Sequence, residues 1–203
     1  MTPEQASAII RYFHTASVPA TVLGGVPASW RNLGNDARYT DSRTEPQWAE
    51  VYRSLDVISP WTVGRFSDDN GADAFLRQRL VPDIAETGRL GIGYMPVVSP
   101  GYSRRHGALP QKDLRLNSIP RRCGVFYQHQ IDNAIKAGAQ MLYTAMFDEI
   151  NEGTAIFKLA ADGNQEPIGT DLLALNVDGC RGARNDMYLG LAGGATSALP
   201  KAP

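Results

Sequence analysis

Cysteine and histidine are scarce in this chain, and the scarcity narrows its chemistry. Two cysteines, Cys123 and Cys180, and three histidines, His14, His106 and His129, stand among 203 residues. None falls at the short spacings of a zinc site, and no Ser-His-Asp order is visible. No metal and no cofactor is expected. The cysteines read as two ordinary thiols, with a disulfide between them left open because sequence does not fix their separation in space. Charge of one sign is lacking too. The formal net charge is −1, which gives no electrostatic footprint for nucleic acid or an anionic membrane. No apolar run reaches the roughly 18 residues of a membrane span, and no repeat has a solenoid period. Met1-Thr2-Pro3-Glu4-Gln5 carries neither the basic region nor the apolar stretch of a secretory leader. The compartment is unassigned, and an extracytoplasmic location stays open through a leader upstream of Met1.

What is present suits a buried core: 43% apolar and 20% charged residues. Helix-like and strand-like segments alternate. Ala6, Ile9, Ile10 and Phe13 keep a helical period behind Thr2-Pro3, a cap followed by a first-turn proline. A second helical stretch runs from Asp68 to Thr87, with Pro82 positioned to kink or split it. Gly124 to Ala137 and a segment holding Met187, Leu189 and Leu191 read as helices. Strands are expected near Val22, Ile58, Tyr94, Tyr143 and, less clearly, Leu173. Continuous apolar strands between helices imply a parallel sheet with helices outside. A closed (β/α)8 barrel needs eight strands and about 250 residues. The expected fold class is therefore α/β, a partial TIM barrel forming the C-terminal portion of that fold, over residues 1–193. Residues 194–203, small and proline-bearing, read as a frayed tail. An open doubly wound sheet ranks lower, because Leu23-Gly24-Gly25-Val26-Pro27 lacks the glycine spacing of its ligand-binding turn.

In a parallel barrel, reactive groups sit where strands end and the following loops begin. Met146-Phe147-Asp148-Glu149-Ile150-Asn151-Glu152-Gly153-Thr154 puts three carboxylates just past an apolar strand. Glycoside hydrolysis uses two carboxylates, one donating a proton and one acting as nucleophile or base. Glu149 and Glu152 are the candidates, against the blander reading of a solvated acidic loop. At the second strand end, Trp61 offers a flat face for a sugar and Arg65 offers hydroxyl contacts. At the third, Ser99-Pro100-Gly101-Tyr102 suggests a shaped turn presenting Tyr102. Trp30 is a weaker instance of the same pattern. The long segment from Ser99 to about Pro120, with Arg104, Arg105 and His106, has the length of a functional loop.

Phe147-Asp148-Glu149-Ile150-Asn151-Glu152-Gly153-Thr154 resembles the signature turn of the endo-α-mannosidase-type glycoside hydrolases, which reads Phe-Asn-Glu-Trp-His-Glu-Gly-Thr. The segments from Val57 to Arg65, from Pro96 to Ser103 and from Asn176 to Gly179 are similar to proteins of the broader 71/99-like group. Family members are longer at the N-terminus, in line with a fragment. The resemblance implies retaining hydrolysis of α-linked glycans, with an oligosaccharide or polysaccharide as substrate. It implies that Glu149 acts as base toward the sugar 2-hydroxyl and that Glu152 is general acid, then base. Asp148, in place of Asn, adds a negative charge in what would be the substrate-binding turn. Ile150 and Asn151 replace Trp and His, and Ile150 has no face on which a sugar stacks. An inactive or fragmentary carbohydrate-binding barrel is the alternative. A Schiff-base lyase or aldolase is less favoured, since none of Lys112, Lys136, Lys158 and Lys201 ends an apolar strand. Open sheet edges in an incomplete barrel leave self-association as a further expectation.

Overall fold

The computed structural model of the chain describes residues 1–34, 43–103, 117–170 and 172–200. Helix α1 (Pro3–Thr15) begins as its sequence dictates. The Thr2 side chain accepts from the Gln5 amide, and the Gln5 side chain accepts from the Thr2 amide. This reciprocal box satisfies two otherwise orphaned helix-end donors. Strand β1 (Leu23–Val26) follows, then α2 (Trp48–Arg53) and β2 (Val57–Pro60). The expected long helix is split near Pro82 into α3 (Asp69–Phe75) and α4 (Val81–Leu90), joined by a wide π turn, Leu76–Leu80. Pro82 has no N–H to give and its ring crowds the carbonyl one turn back, so a wider turn just ahead of it relieves the conflict.

Strands β3 (Gly93–Tyr94) and β4 (Val97–Val98) lie on one stretch of chain, interrupted at Met95-Pro96. That stretch has a neighbour on each side. Its first half pairs with β2, and its second half pairs with β5 (Tyr143–Thr144), reached through α5 (Val125–Lys136). The Met95 amide still bonds Ile58, and the Pro96 carbonyl still accepts from Tyr143, so the two ladders meet at the break. β1 pairs with β2, Leu23 opposite Val57. All these ladders are parallel, and the strands lie side by side in the order of the sequence. The architecture is α/β with a parallel arrangement, as expected.

Two expectations fail. No strand forms at Asp171–Val177 among the described residues. Leu175–Asp178 is instead a 3-10 turn closed by Gly179 at φ 79°, because Asn176, Asp178 and Gly179 supply turn chemistry that overrides the short apolar run. Helix α6 (Met187–Ala198) continues past Gly193 and buries Ala195, where a tail was expected from 194. Its apolar residues have somewhere to pack: Tyr188 and Ala195 join Tyr127, Ile131, Leu159 and Leu175 in one core cluster. A second cluster, including Ile10, Trp30, Val51, Ile58 and Tyr94, holds the strands β1–β3 against their helices. Cys123 and Cys180 form a disulfide, their Cα atoms 5.2 Å apart.

Candidate active site

Parallel strands deliver their following loops to one side of the sheet. Three contacts tie those loops together in sequence. The Trp61 amide, just past β2, donates to the Val26 carbonyl at the end of β1 (2.9 Å). The Thr62 hydroxyl donates to the Val97 carbonyl on β4 (2.6 Å). The Ser103 amide, past β4, donates to the Glu152 carbonyl, past β5 (2.7 Å). Trp61, Tyr102 and the glutamate turn therefore occupy loops on the same rim.

The turn itself is a compact excursion. Met146 bonds back to Thr154 and Ile156, and Phe157 donates to Phe147, so the chain leaves and returns at one place. Within it, Ile150–Glu152 makes a 3-10 turn ended by Gly153 in the left-handed region, φ 63°. A side chain at 153 would be strained there, and its Cβ would come within 2.8 Å of the Ser103 Cβ. Glycine lets the two loops touch. Glu149 and Glu152 are half-buried and Asp148 is exposed. The Glu149 carbonyl accepts from the Thr154 hydroxyl at 3.4 Å. Beside the carboxylates, Phe147 and Phe157 meet edge to face at 5.6 Å, and both are exposed, as is Ile150. The only sequence signal for this pair is that Phe147 and Phe157 stand ten positions apart on either side of one acidic turn.

The other candidates separate. Trp61 is 41% exposed, while Arg65 and Tyr102 are half-buried. Tyr102 is held by a two-way antiparallel bridge to Ile119. Trp30 is a correction. It is completely buried, and its indole N–H donates to Asp83 at 3.0 Å. It is a core residue, out of reach of any ligand. The pull that overrides its strand-end position is the buried Asp83 carboxylate, which also accepts from Arg31 and from the Tyr94 hydroxyl. Burial raises the Asp83 carboxyl above its ordinary value, with Arg31, Trp30 and Tyr94 opposing. Arg104, Arg105 and His106 lie outside the described residues. His14 and His129 bond Asp56 and Asp73, structural roles.

Among the solved structures that share this fold are two of one enzyme. One is the GH99 endo-alpha-mannosidase from Bacteroides thetaiotaomicron, at TM-score 0.56 and 16% identity, covering 98% of this chain and 64% of that one. The other is the same enzyme in complex with BIS-TRIS-Propane, at TM-score 0.57 and 15% identity, covering 98% of this chain and 67% of that one. The chain thus spans about two thirds of the length of these structures. No family model and no curated protein matches the sequence.

Sequence reasoning also missed a buried polar cluster behind the rim. Arg121 is fully buried, with Nε 2.6 Å from Asp178 Oδ2. Its guanidinium lies 5.3 Å from the centre of the Tyr188 ring, and that residue's hydroxyl reaches Asp178 at 3.4 Å. Burial raises the Asp178 carboxyl above its ordinary value, with Arg121 the main opposing influence. The segment from Asn176 to Gly179 carries part of the family resemblance, but nothing in the sequence pairs it with Arg121.

Proposed function

We propose that this chain carries a retaining glycoside-hydrolase site for α-linked glycans, on a portion of a (β/α)8 barrel of the 71/99-like group. Glu149 takes the proton of the sugar 2-hydroxyl, and that oxygen attacks the anomeric carbon. The glycosidic bond breaks as Glu152 protonates the departing oxygen. Glu152 then takes a proton from water, which opens the new carbon–oxygen bond, and Glu149 returns its proton to the 2-oxygen. Two inversions at one carbon give net retention. Trp61 and Tyr102 offer surfaces to the sugar, and Arg65 and Asp148 offer polar contacts; Trp30 has no part.

The observation that carries this reading is the Ser103–Glu152 clamp. It holds a turn with two half-buried carboxylates, three residues apart, against the loop of Tyr102. The likeness to the mannosidase structures supports the reaction class. The sequential parallel order of the strands supports the barrel. Ile150 stands where the resembling turn has a tryptophan, so the reading stops at α-linked glycans and does not extend to mannose. Release of reducing ends from a panel of α-linked oligosaccharides tests it. Turnover that fails in Glu149→Gln and Glu152→Gln supports the proposal. Glycan binding without turnover by the parent chain favours a carbohydrate-binding module instead.

A further inference from the structure

Two chains of contacts start from Asp178 and end on the glutamate turn. In the first, the Asn117 side-chain amide donates to Asp178 Oδ1 at 3.3 Å. The Asn117 backbone amide donates to the Ser103 hydroxyl at 2.7 Å, and the Ser103 amide donates to the Glu152 carbonyl at 2.7 Å. In the second, Asp178 pairs with Arg121, whose Nη2 donates to the Leu173 carbonyl at 2.8 Å. Leu173 lies against Gly153, where an added Cβ would be 3.3 Å from its Cδ2. Arg121 also backs the Tyr102 loop: a Cβ on Gly101 would come within 2.6 Å of its Cγ. The disulfide joins the same two segments, with Cys123 two places after Arg121 and Cys180 two places after Asp178. The side chains of Asp178 and Arg121 are fully buried and Ser103 is buried, while Asn117, between Asp178 and Ser103, is half-buried.

We infer that Asp178 is a positioning residue for Glu152, acting through Asn117 and Ser103 on one side and through Arg121 and Leu173 on the other. The inference rests on the proposed role of Glu152 for its chemical meaning. Its structural content stands apart: when an arm is cut, the backbone at 152–153 moves.

Asp178→Asn is a poor first test, because it strands a buried guanidinium and unfolding would hide the effect. Asn117→Gly cuts one arm alone. Asn117 has φ 57°, a left-handed conformation that glycine adopts freely, so the backbone is kept while the bond to Asp178 is lost. The parent chain and the variant are compared by nuclear magnetic resonance. The readouts are the Glu152 and Gly153 amides, the pH titration of the Glu152 side-chain carboxyl, and the Trp30 indole N–H as a control for the rest of the fold. The expected result is displaced Glu152 and Gly153 signals and a shifted carboxyl midpoint, with the Trp30 signal in place. On a glycan that the parent hydrolyses, kcat should fall roughly tenfold to a hundredfold with KM nearly unchanged. Glu152 and Gly153 signals that superimpose on the parent's overturn the inference. If the parent hydrolyses no glycan, the functional reading fails by itself, and the resonance shifts still decide the positioning role.

Discussion

Ser103 and Gly153 pack so closely that the glycine hydrogen faces the serine methylene: a Cβ at 153 would lie 2.8 Å from the Ser103 Cβ. The same contact is bridged by the 2.7 Å bond from the Ser103 amide to the Glu152 carbonyl. Gly153→Ala therefore meets both a left-handed φ and a steric conflict. A destabilisation of about 1–3 kcal/mol is expected in urea titration. Any catalytic loss should follow from displacement of Glu152. An alanine variant as stable as the parent would show that the two loops are free to part.

The two tryptophans on successive loops should behave oppositely. Trp30→Ala removes a fully buried ring and leaves Asp83 without one of its donors, so a loss of about 3–5 kcal/mol is expected. Trp61→Ala removes a ring that is 41% exposed, and stability should change by about 1 kcal/mol or less. Affinity for glycan, measured by calorimetry, should fall in the Trp61 variant. Equal destabilisation of both would show that Trp61 is a packing residue.

These two residues also show where sequence reading ended. Both follow an apolar strand, and nothing local tells which is buried. Trp30 is decided by Asp83 and Tyr94, far along the chain. Features carried by the local pattern were legible: the Thr2-Pro3 helix start, the break near Pro82, the parallel strands and the acidic turn; the return bond from Gln5 was not read. The Leu173 segment misled because its apolar run is short and a turn sequence follows at once. The Arg121–Asp178 pair and the Cys123–Cys180 bond depend on tertiary proximity, which spacing does not encode.

Acid stability should depend on Asp56. The Val22 amide first, and His14 second, hold its carboxyl below the ordinary value. In the window between the folded and unfolded values the unfolded chain binds more protons, so stability rises with pH there. The contribution is fully present above about pH 4 and is lost as pH falls through the lowered folded value. Asp73 acts in the same sense, through Asn133 first and then His129. Asp83 and Asp178 act in the opposite sense: burial raises both, so their contribution declines as pH rises from the ordinary value through the raised one. Asp56→Asn should flatten the stability profile below about pH 4 relative to the parent. An unchanged profile from chemical denaturation across that range would remove Asp56 from the account.

Among the described residues β1 pairs only with β2. Leu23 on that strand is 48% exposed, and Ile9 and Phe13 on α1 are exposed as well. An open edge beside apolar surface invites strand pairing with another chain. We expect concentration-dependent self-association in light scattering, reduced by Leu23→Lys. A monomer that persists at high concentration would contradict this.

The most direct test of the central claim is the rate of each glutamate variant on two substrates that differ in leaving group. Glu152→Gln should lower hydrolysis of an unactivated α-linked glycan by about 10²–10⁴-fold, because its leaving oxygen needs a proton. An activated aryl α-glycoside, whose leaving group departs without that proton, should suffer far less. Glu149→Gln should slow both substrates, since both need the 2-hydroxyl activated. Rates close to the parent's in both variants, on both substrates, would show that the chemistry lies elsewhere in the molecule.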